Sequence, residues 1–292
     1  MKKIAIFLFT GTGNTGYVTQ LLKKEFETAG CSCEVFTVTD RFIRTTMPPL
    51  SGYDTIGIAH PIHAFETPCI VYELVKALPA SSGTPVFILK TCGEGTTGMN
   101  GAVSKTIIHL LKRKGYLPFY ERSFAMGSNW LVRYDDSLVR ELARVAKDKV
   151  RHMSGELLAG KSRLLRTTGL FHLVVRLVYL GYRTFFLRHC SKDLYADKRC
   201  TTCGRCVREC PRGNIAIKNG KVRFGWRCIS CMRCLYRCPQ DAINYRFFKP
   251  LKVKGGYDLP SILAVTAGAG DTSYMKTRQF AAMAEYLHDV AL

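Results

Sequence analysis

At 292 residues, 47% of them apolar, the chain has room for two domains with ordinary cores, which excludes a disordered protein. Its 43 Lys and Arg against 22 Asp and Glu give a formal charge of +21, which implies an acidic partner, an anionic membrane surface or nucleic acid without choosing among them. Of 13 cysteines, eight fall in two regular runs late in the chain and Cys31, Cys33, Cys69, Cys92 and Cys190 form no paired framework, so a secreted disulfide scaffold is disfavoured and a cytoplasmic setting is expected.

Met1-Lys2-Lys3 and the apolar Ile4 to Phe9 look like a signal peptide but lead into Thr10-Gly11-Thr12-Gly13 instead of a small-residue cleavage site, so they read as a first strand. Thr10 to Gly16 follows as a loop before an amphipathic helix through Ala29. Such a loop sets backbone N–H groups and a helix N-terminus around a phosphate. Gly11, Gly13 and Gly16 also satisfy G-x-G-x-x-G, which keeps a dinucleotide open, with Glu34 or Asp40 as the ribose acid. The hydroxyls of Thr10, Thr12 and Thr15 favour a terminal phosphate monoester instead, and T-G-T-G-N-T resembles the phosphate loop of flavodoxins.

Strand-like runs recur at Cys33 to Val38, Thr55 to His60, Pro85 to Thr91 and Phe119 to Ala125, with helix-like stretches at Pro68 to Leu78, Ala102 to Lys114 and Ser137 to Leu158. The alternation predicts a parallel, doubly wound α/β sheet with its ligand at the carboxyl ends of the strands. The loops there are Thr10 to Gly16, Pro61 to Thr67 and Thr91 to Gly101. A flavodoxin-like protein would hold its flavin with Thr10, Gly11, Thr12, Gly13, Asn14 and Thr15 on the phosphate. Pro61, Ile62, His63, Ala64 and Phe65, and Thr91, Cys92, Gly93, Glu94 and Gly95, would lie around the ring. His63 and Phe65 are the candidates to pack on the isoalloxazine, whereas the third loop has no aromatic residue and departs from the sandwich common in flavodoxins. Cys92 has no obvious base nearby and is read as a spectator or as tuning the flavin. Trp130 is read as a packing residue.

From Arg144 to Arg199, 13 basic residues face only Asp148, Glu156, Asp193 and Asp197. Leu164, Leu165, Phe171, Val174, Val175, Val178 and Tyr182 recur there at near-helical spacing, interrupted by Arg163, Arg166, Arg176 and Arg183. This predicts a basic amphipathic helix between two domains, lying either on the protein's own core or on an anionic membrane or acidic partner. Leu170 to Leu187 carries Arg176 and Arg183, so no transmembrane segment is expected.

Cys200, Cys203, Cys206, Cys210, Pro211 and then Cys228, Cys231, Cys234, Cys238, Pro239 repeat C-x-x-C-x-x-C-x-x-x-C-P after 28 residues. This is the spacing by which bacterial ferredoxins hold two 4Fe-4S clusters, the fourth cysteine of each run serving the other cluster. A first cluster would take Cys200, Cys203, Cys206 and Cys238, and a second Cys228, Cys231, Cys234 and Cys210. Zinc or disulfides would not require a third cysteine and C-P in each run. Gly204 and Ser230 suit the tight curl. Asn219-Gly220 predicts a hairpin between Ile215 to Lys218 and Lys221 to Phe224, and Ile215, Ile217, Ile229 and Ile243 are expected to exclude water between the halves. Beyond Lys249, a helix with Phe280, Met283, Leu287 and Val290 on one face is expected to dock, with no chemistry assigned.

Taken together, Thr10 to Thr15, Pro61-Ile62-His63, the third loop and the cysteine runs resemble anaerobic bacterial fusions of a flavodoxin-like domain with a two-4Fe-4S ferredoxin, over roughly residues 1 to 255. The resemblance implies a flavodoxin-like sheet in order 2-1-3-4-5, a small α+β ferredoxin domain, and FMN plus two 4Fe-4S clusters in a cytoplasmic electron-transfer protein. The corresponding units are 1–158 for the flavin domain, 159–194 for the basic linker, 195–248 for the cluster domain and 249–292 for the tail. Clusters would bring about −4 and a flavin phosphate about −2, so a positive excess survives and an acidic redox partner is expected, with peripheral contact to an anionic membrane open. The expected function is an electron relay that couples one-electron and two-electron partners. Two alternatives stand beside it. One is an FMN-dependent reductase of a small molecule or quinone, with His63, Glu94 and Cys92 as candidates for proton delivery; the other is a nucleic-acid-binding or redox-sensing protein, disfavoured because no reader motif accompanies the charge.

Overall fold

A computed structural model describes residues 1–93, 103–165, 169–265 and 273–288. Five strands, β1 (Lys3–Leu8), β2 (Ser32–Thr37), β3 (Thr55–Pro61), β4 (Pro85–Cys92) and β5 (Leu117–Ala125), form a parallel sheet in the order β2-β1-β3-β4-β5. Central strands covered on both faces need near-continuous apolar runs, and β1 and β3 are buried along almost their whole length. Helices α1 (Asn14–Thr28) and α4 (Asp136–Leu158) cover one face through Val18, Leu22, Phe26, Leu142 and Ala146. On the other, α2 (Cys69–Ala77) and α3 (Lys105–Arg113) bury Ile70, Leu74, Ile107 and Leu111. Asp135 caps α4 by accepting a 2.8 Å bond from the Ser137 N–H. The loops after β1, β3 and β4 therefore meet at one edge of the sheet, where the sequence pattern put the ligand.

A sheet so covered still contains charge. Lys90 of β4 and Glu121 of β5 pair at 2.7 Å, and both are buried. The second carboxylate oxygen of Glu121 accepts the Leu165 N–H at 2.8 Å, so the pair also ties down the chain leaving α4.

Beyond two short strands, β6 (Asn129–Trp130) and β7 (Val132–Arg133), and α4, the linker forms α5 (Gly169–Gly181), a π turn over Tyr182–Phe186 and α6 (Leu187–Asp193). Leu164 and Leu165, expected in this helix, lie before it, and Arg166 is outside the described residues. The small domain then pairs β8 (Leu194–Ala196) with β11 (Ile243–Tyr245) antiparallel, encloses helices α7 (Arg205–Glu209) and α8 (Arg233–Tyr236), and carries the hairpin β9 (Ile215–Lys218) and β10 (Lys221–Phe224). Asn219 at φ 51° and Gly220 at φ 67° give the two left-handed residues that a type I′ turn requires.

Two of the four expected isoleucines behave otherwise. Ile215 and Ile243 are in the small core, but Ile217, on the same face of β9 and two residues nearer the hairpin turn, is 41% exposed because the strand runs out beyond that core. Ile229 packs with the sheet domain's Phe9, Ile58 and Ile70 cluster instead of between the halves. At the C-terminal end, α9 (Leu259–Ala264) and α10 (Arg278–His288) lie on α4. Met283 and Tyr286 are buried there, with the Lys149 ammonium 4.1 Å from the Tyr286 ring centre. Val290 is outside the described residues.

Candidate functional site

The phosphate-loop candidates occupy the turn from β1 into α1. Gly13 has φ 112°, a conformation open to glycine, and leads directly into the first turn of α1, whose N–H groups have no partner within the helix. The three threonines do not act as one set. The Thr10 hydroxyl accepts a 3.4 Å bond from the Gly16 N–H, Thr12 accepts from the Asn129 side chain, and the buried Thr15 shares a 2.7 Å bond with Thr91. That last bond joins the first loop to the third. Asn14 donates to the Gly127 carbonyl at 2.8 Å and accepts from the Tyr257 hydroxyl at 2.5 Å.

The second loop is tied to the third by the Ile62 N–H on the Thr91 carbonyl at 2.8 Å. Within it, His63 and Glu66 exchange backbone bonds of 3.0 Å around Ala64 at φ 46° and Phe65 at φ 62°. Two successive left-handed residues with side chains are costly, and such strain concentrates at functional loops. His63 stands edge-on to Phe9 at 6.0 Å and its ring is bonded to the Ile229 backbone; burial holds its pKa down, to about 4. Glu66 is buried, which raises its pKa against hydrogen bonds from Thr67 and Tyr72. Pro61 closes β3, where its carbonyl accepts from His60 Nδ1 at 2.9 Å. In the third loop the Cys92 thiol is buried and donates to the Phe124 carbonyl at 3.7 Å, and the Gly93 carbonyl accepts from the Tyr134 hydroxyl. Glu94 and Gly95 lie outside the described residues.

The cysteines form two sets whose membership crosses the two runs. Burial raises Cys206, and the charges next to it are those of Cys200, Cys238 and Cys203. Cys228, Cys231, Cys234 and Cys210 instead ring an internal cavity. Burial, and then neighbouring thiols, push Cys228 up to about 12 and Cys234 well above its ordinary value, Cys206 of the other set being among the neighbours of Cys234. Among the described residues no three His, Cys, Asp or Glu side chains close on a single-ion site. The 28-residue repeat is also visible in the backbone. Thr202 and Ser230, Gly204 and Met232, and Gly213 and Asp241 are pairs with positive φ, and α7 and α8 start at Arg205 and Arg233. Likewise Cys210 Sγ accepts the Asn214 N–H at 3.3 Å and Cys238 Sγ the Ala242 N–H at 3.4 Å.

The second cysteine set sits directly on the loop between β1 and α1. A Cβ at Gly11 would stand 2.2 Å from the Cys231 carbonyl oxygen, so the two backbones meet with no side chain between them. Arg233, 8% exposed, donates to the carbonyls of Thr10, of Gly11 at 3.3 Å and of Glu209 at 2.9 Å. Beside it Asp40 accepts from Arg212 at 2.7 Å and from Arg227, and its N–H donates to the Pro211 carbonyl at 2.8 Å. Asp40 and Glu34, the candidate ribose acids, are thus engaged elsewhere, Glu34 by the Tyr53 hydroxyl at 3.0 Å. The Tyr236 hydroxyl donates to the Asn129 carbonyl and accepts from the Val253 N–H, both at 2.9 Å. Trp130 packs edge-on against Tyr182 and Phe186.

Sequence reasoning missed Arg233, Tyr236 and Tyr257. Arg233 stands within a cysteine run and carries no motif of its own, and Tyr257 lies ahead of the one periodic stretch in the tail.

Residues 192–239 match the 4Fe-4S dicluster domain family. Among solved structures, the N-terminal part is similar to a flavodoxin from the domain Archaea, at 15% identity over 53% of this chain and 99% of that one, with a TM-score of 0.33. It is similar also to Flavodoxin 2 from Bacillus cereus, at 12% identity over 55% and 99%, TM-score 0.39, and to an NAD(P)H:quinone oxidoreductase from Methanothermobacter marburgensis, at 15% over 53% and 95%, TM-score 0.38. No curated protein matches the chain in sequence. The fold assignment rests on the strand order, which is that of flavodoxins. Among the described residues no helix is long and apolar enough to cross a membrane. The chain thus joins a five-stranded parallel sheet in the flavodoxin order to a segment matching the 4Fe-4S dicluster domain family, which supports an iron–sulfur redox role.

Proposed function

We propose that the protein relays electrons between FMN, held by Thr10 to Thr15 and the loops at Pro61 to Phe65 and Thr91 to Gly95, and two 4Fe-4S clusters. One would be ligated by Cys200, Cys203, Cys206 and Cys238, the other by Cys210, Cys228, Cys231 and Cys234. The observation that carries this reading is the direct contact of Gly11 with the Cys231 carbonyl, which leaves one backbone thickness between the phosphate loop and a cysteine ligand.

The residues present fit these groups. Thiols pushed up by burial and by one another ionise only with positive charge among them, which iron supplies. The first turn of α1 and the Gly13 loop offer N–H donors to a phosphate. FMN bound there would exchange electrons in pairs with one class of partner and singly with the clusters. Arg233 fixes the spacing of the two sites by clamping Thr10 and Gly11 to the second cysteine set, and the Ile229 side chain packs into the sheet domain while its backbone bonds the His63 ring. The first set is the outward one, since Cys203 is exposed. Next to Cys200 opens a groove lined by Lys192, Lys198, Lys221, Arg223 and Arg246. Its charge suits an acidic redox protein delivering or accepting single electrons at that cluster.

Anaerobic purification should yield about eight irons and one FMN per chain. Cys206→Ser and Cys234→Ser should each remove about half the iron. After reduction of the clusters the flavin absorbance at the holoprotein should bleach, and Cys234→Ser should slow that bleaching; a flavin that exchanges no electrons with the clusters would refute the relay.

A further inference from the structure

Helix α5 presents an apolar face to the outside. Leu173, Leu177 and Leu180 recur at i, i+4 and i+7, with Val174 and Val178 on the adjoining stripe. All five are more than half exposed, and Phe185 in the turn that follows is 70% exposed. The protein-facing side is carried by Val175 and Tyr179, both buried, so the helix has two apolar faces pointing in opposite directions. Isolated exposed leucines are ordinary, but a patch of five apolar side chains on one helix and a sixth in the turn after it marks a surface that something covers.

Charge identifies the cover. From Leu157 to Lys192 the chain has no Asp or Glu and seven Lys and Arg. Arg176 and Arg183 border the apolar face and Arg188 follows it, all exposed. A two-sided helix with leucine and phenylalanine outward and arginines along its edge has the composition of helices that lie in the headgroup layer of anionic bilayers. We propose that α5 and the following turn seat the protein peripherally on an anionic phospholipid surface, with Leu173, Leu177, Val178 and Phe185 inserted among the acyl chains and Arg176, Arg183 and Arg188 on the lipid phosphates.

The placement goes beyond the relay and does not depend on it. It has a consequence for access, because Arg176 lies near Glu66, and Tyr179 near Cys69 and Tyr72, so α5 covers the start of α2 beside the second flavin loop. Lipid contact would thus bring that side of the flavin domain to the membrane surface.

The test is flotation of the anaerobically purified holoprotein with vesicles of phosphatidylcholine alone or mixed equally with phosphatidylglycerol. Binding should be confined to the mixed vesicles and weaken with salt. Leu177→Glu with Val178→Glu should lower it at least tenfold, roughly as expected for losing two inserted apolar side chains. Arg183→Gln and Arg188→Gln should each lower it roughly fivefold. The sites are exposed, so iron content and far-ultraviolet dichroism should stay unchanged in all variants, which separates loss of binding from loss of fold. Absence of binding to mixed vesicles, binding insensitive to the glutamates, or a concentration-dependent dimer that the glutamates dissociate, placing a second copy on this face, would each overturn the proposal.

Discussion

Gly11→Ala separates two roles that one loop combines. The added methyl would stand 2.2 Å from the Cys231 carbonyl oxygen and 3.2 Å from its carbon, both backbone atoms that cannot rotate away. Carbon contacts are comfortable near 3.5–4.0 Å, so relief requires a displacement on the order of 1 Å between the phosphate loop and the second cysteine run. Overpacking of this kind costs about 1–3 kcal/mol. The shift also strains the Arg233 bonds to Thr10 and Gly11, each worth about 1.5–3 kcal/mol as a bond to a charged donor. A loss of about 2–5 kcal/mol in domain docking is therefore expected. Gly13→Ala is the matched control, since a Cβ there meets nothing within 4 Å but is forced to φ 112°. The assay combines flavin content, iron content and the rate at which reduced clusters bleach the flavin. Gly11→Ala should keep its iron, expose the segment between the domains to limited proteolysis and slow the bleaching. Gly13→Ala should lose flavin and leave the proteolytic pattern unchanged. Wild-type proteolysis and exchange rate in Gly11→Ala would refute the contact as the route between the sites.

Three further expectations concern the scaffold around that contact. Lys90→Met leaves the Glu121 carboxylate buried without its cation and should cost about 3–5 kcal/mol in urea unfolding, whereas replacing both partners by apolar residues should restore much of it. Asp40→Asn weakens the bridge to Arg212 and Arg227 and should reduce domain docking by about 2 kcal/mol, read by the same proteolysis, with flavin content unchanged. His60 is held neutral in the fold, its pKa lowered to about 3 chiefly by burial and further by Lys90, while the unfolded chain titrates near 6.5. Because the unfolded state binds the extra proton, this contribution is complete above pH 6.5 and is lost as the pH falls from there toward about 3, with a slope approaching about 1.4 kcal/mol per unit. His60→Gln should flatten that part of the acid dependence of the unfolding midpoint, and an unchanged slope would contradict the buried neutral imidazole.

What was legible in the sequence is what is encoded locally. Cysteine spacing, the glycines and threonines after the first strand, the alternation of strands and helices and the Asn-Gly turn each reflect a constraint within a few residues, and the strand order and the I′ hairpin agree with them. Even the 28-residue repeat extends to positive φ at Met232 opposite Gly204, where the side chains give no hint of it. The docking of the domains is encoded otherwise. Asp40 with Arg212, Arg233 with Thr10, and Tyr257 with Asn14 pair residues far apart in the chain, and no periodicity marks them. The linker helix shows the same limit. Its apolar positions were readable, but whether they faced a core or the outside depends on how far Val175 and Tyr179 alone satisfy the packing surface beneath them. Gly11 is the sharpest case, because a glycine there is already explained by a phosphate loop and so conceals its second requirement. The close approach of Cys231 excludes any side chain at position 11, so the domain contact alone requires glycine there, whatever the loop binds.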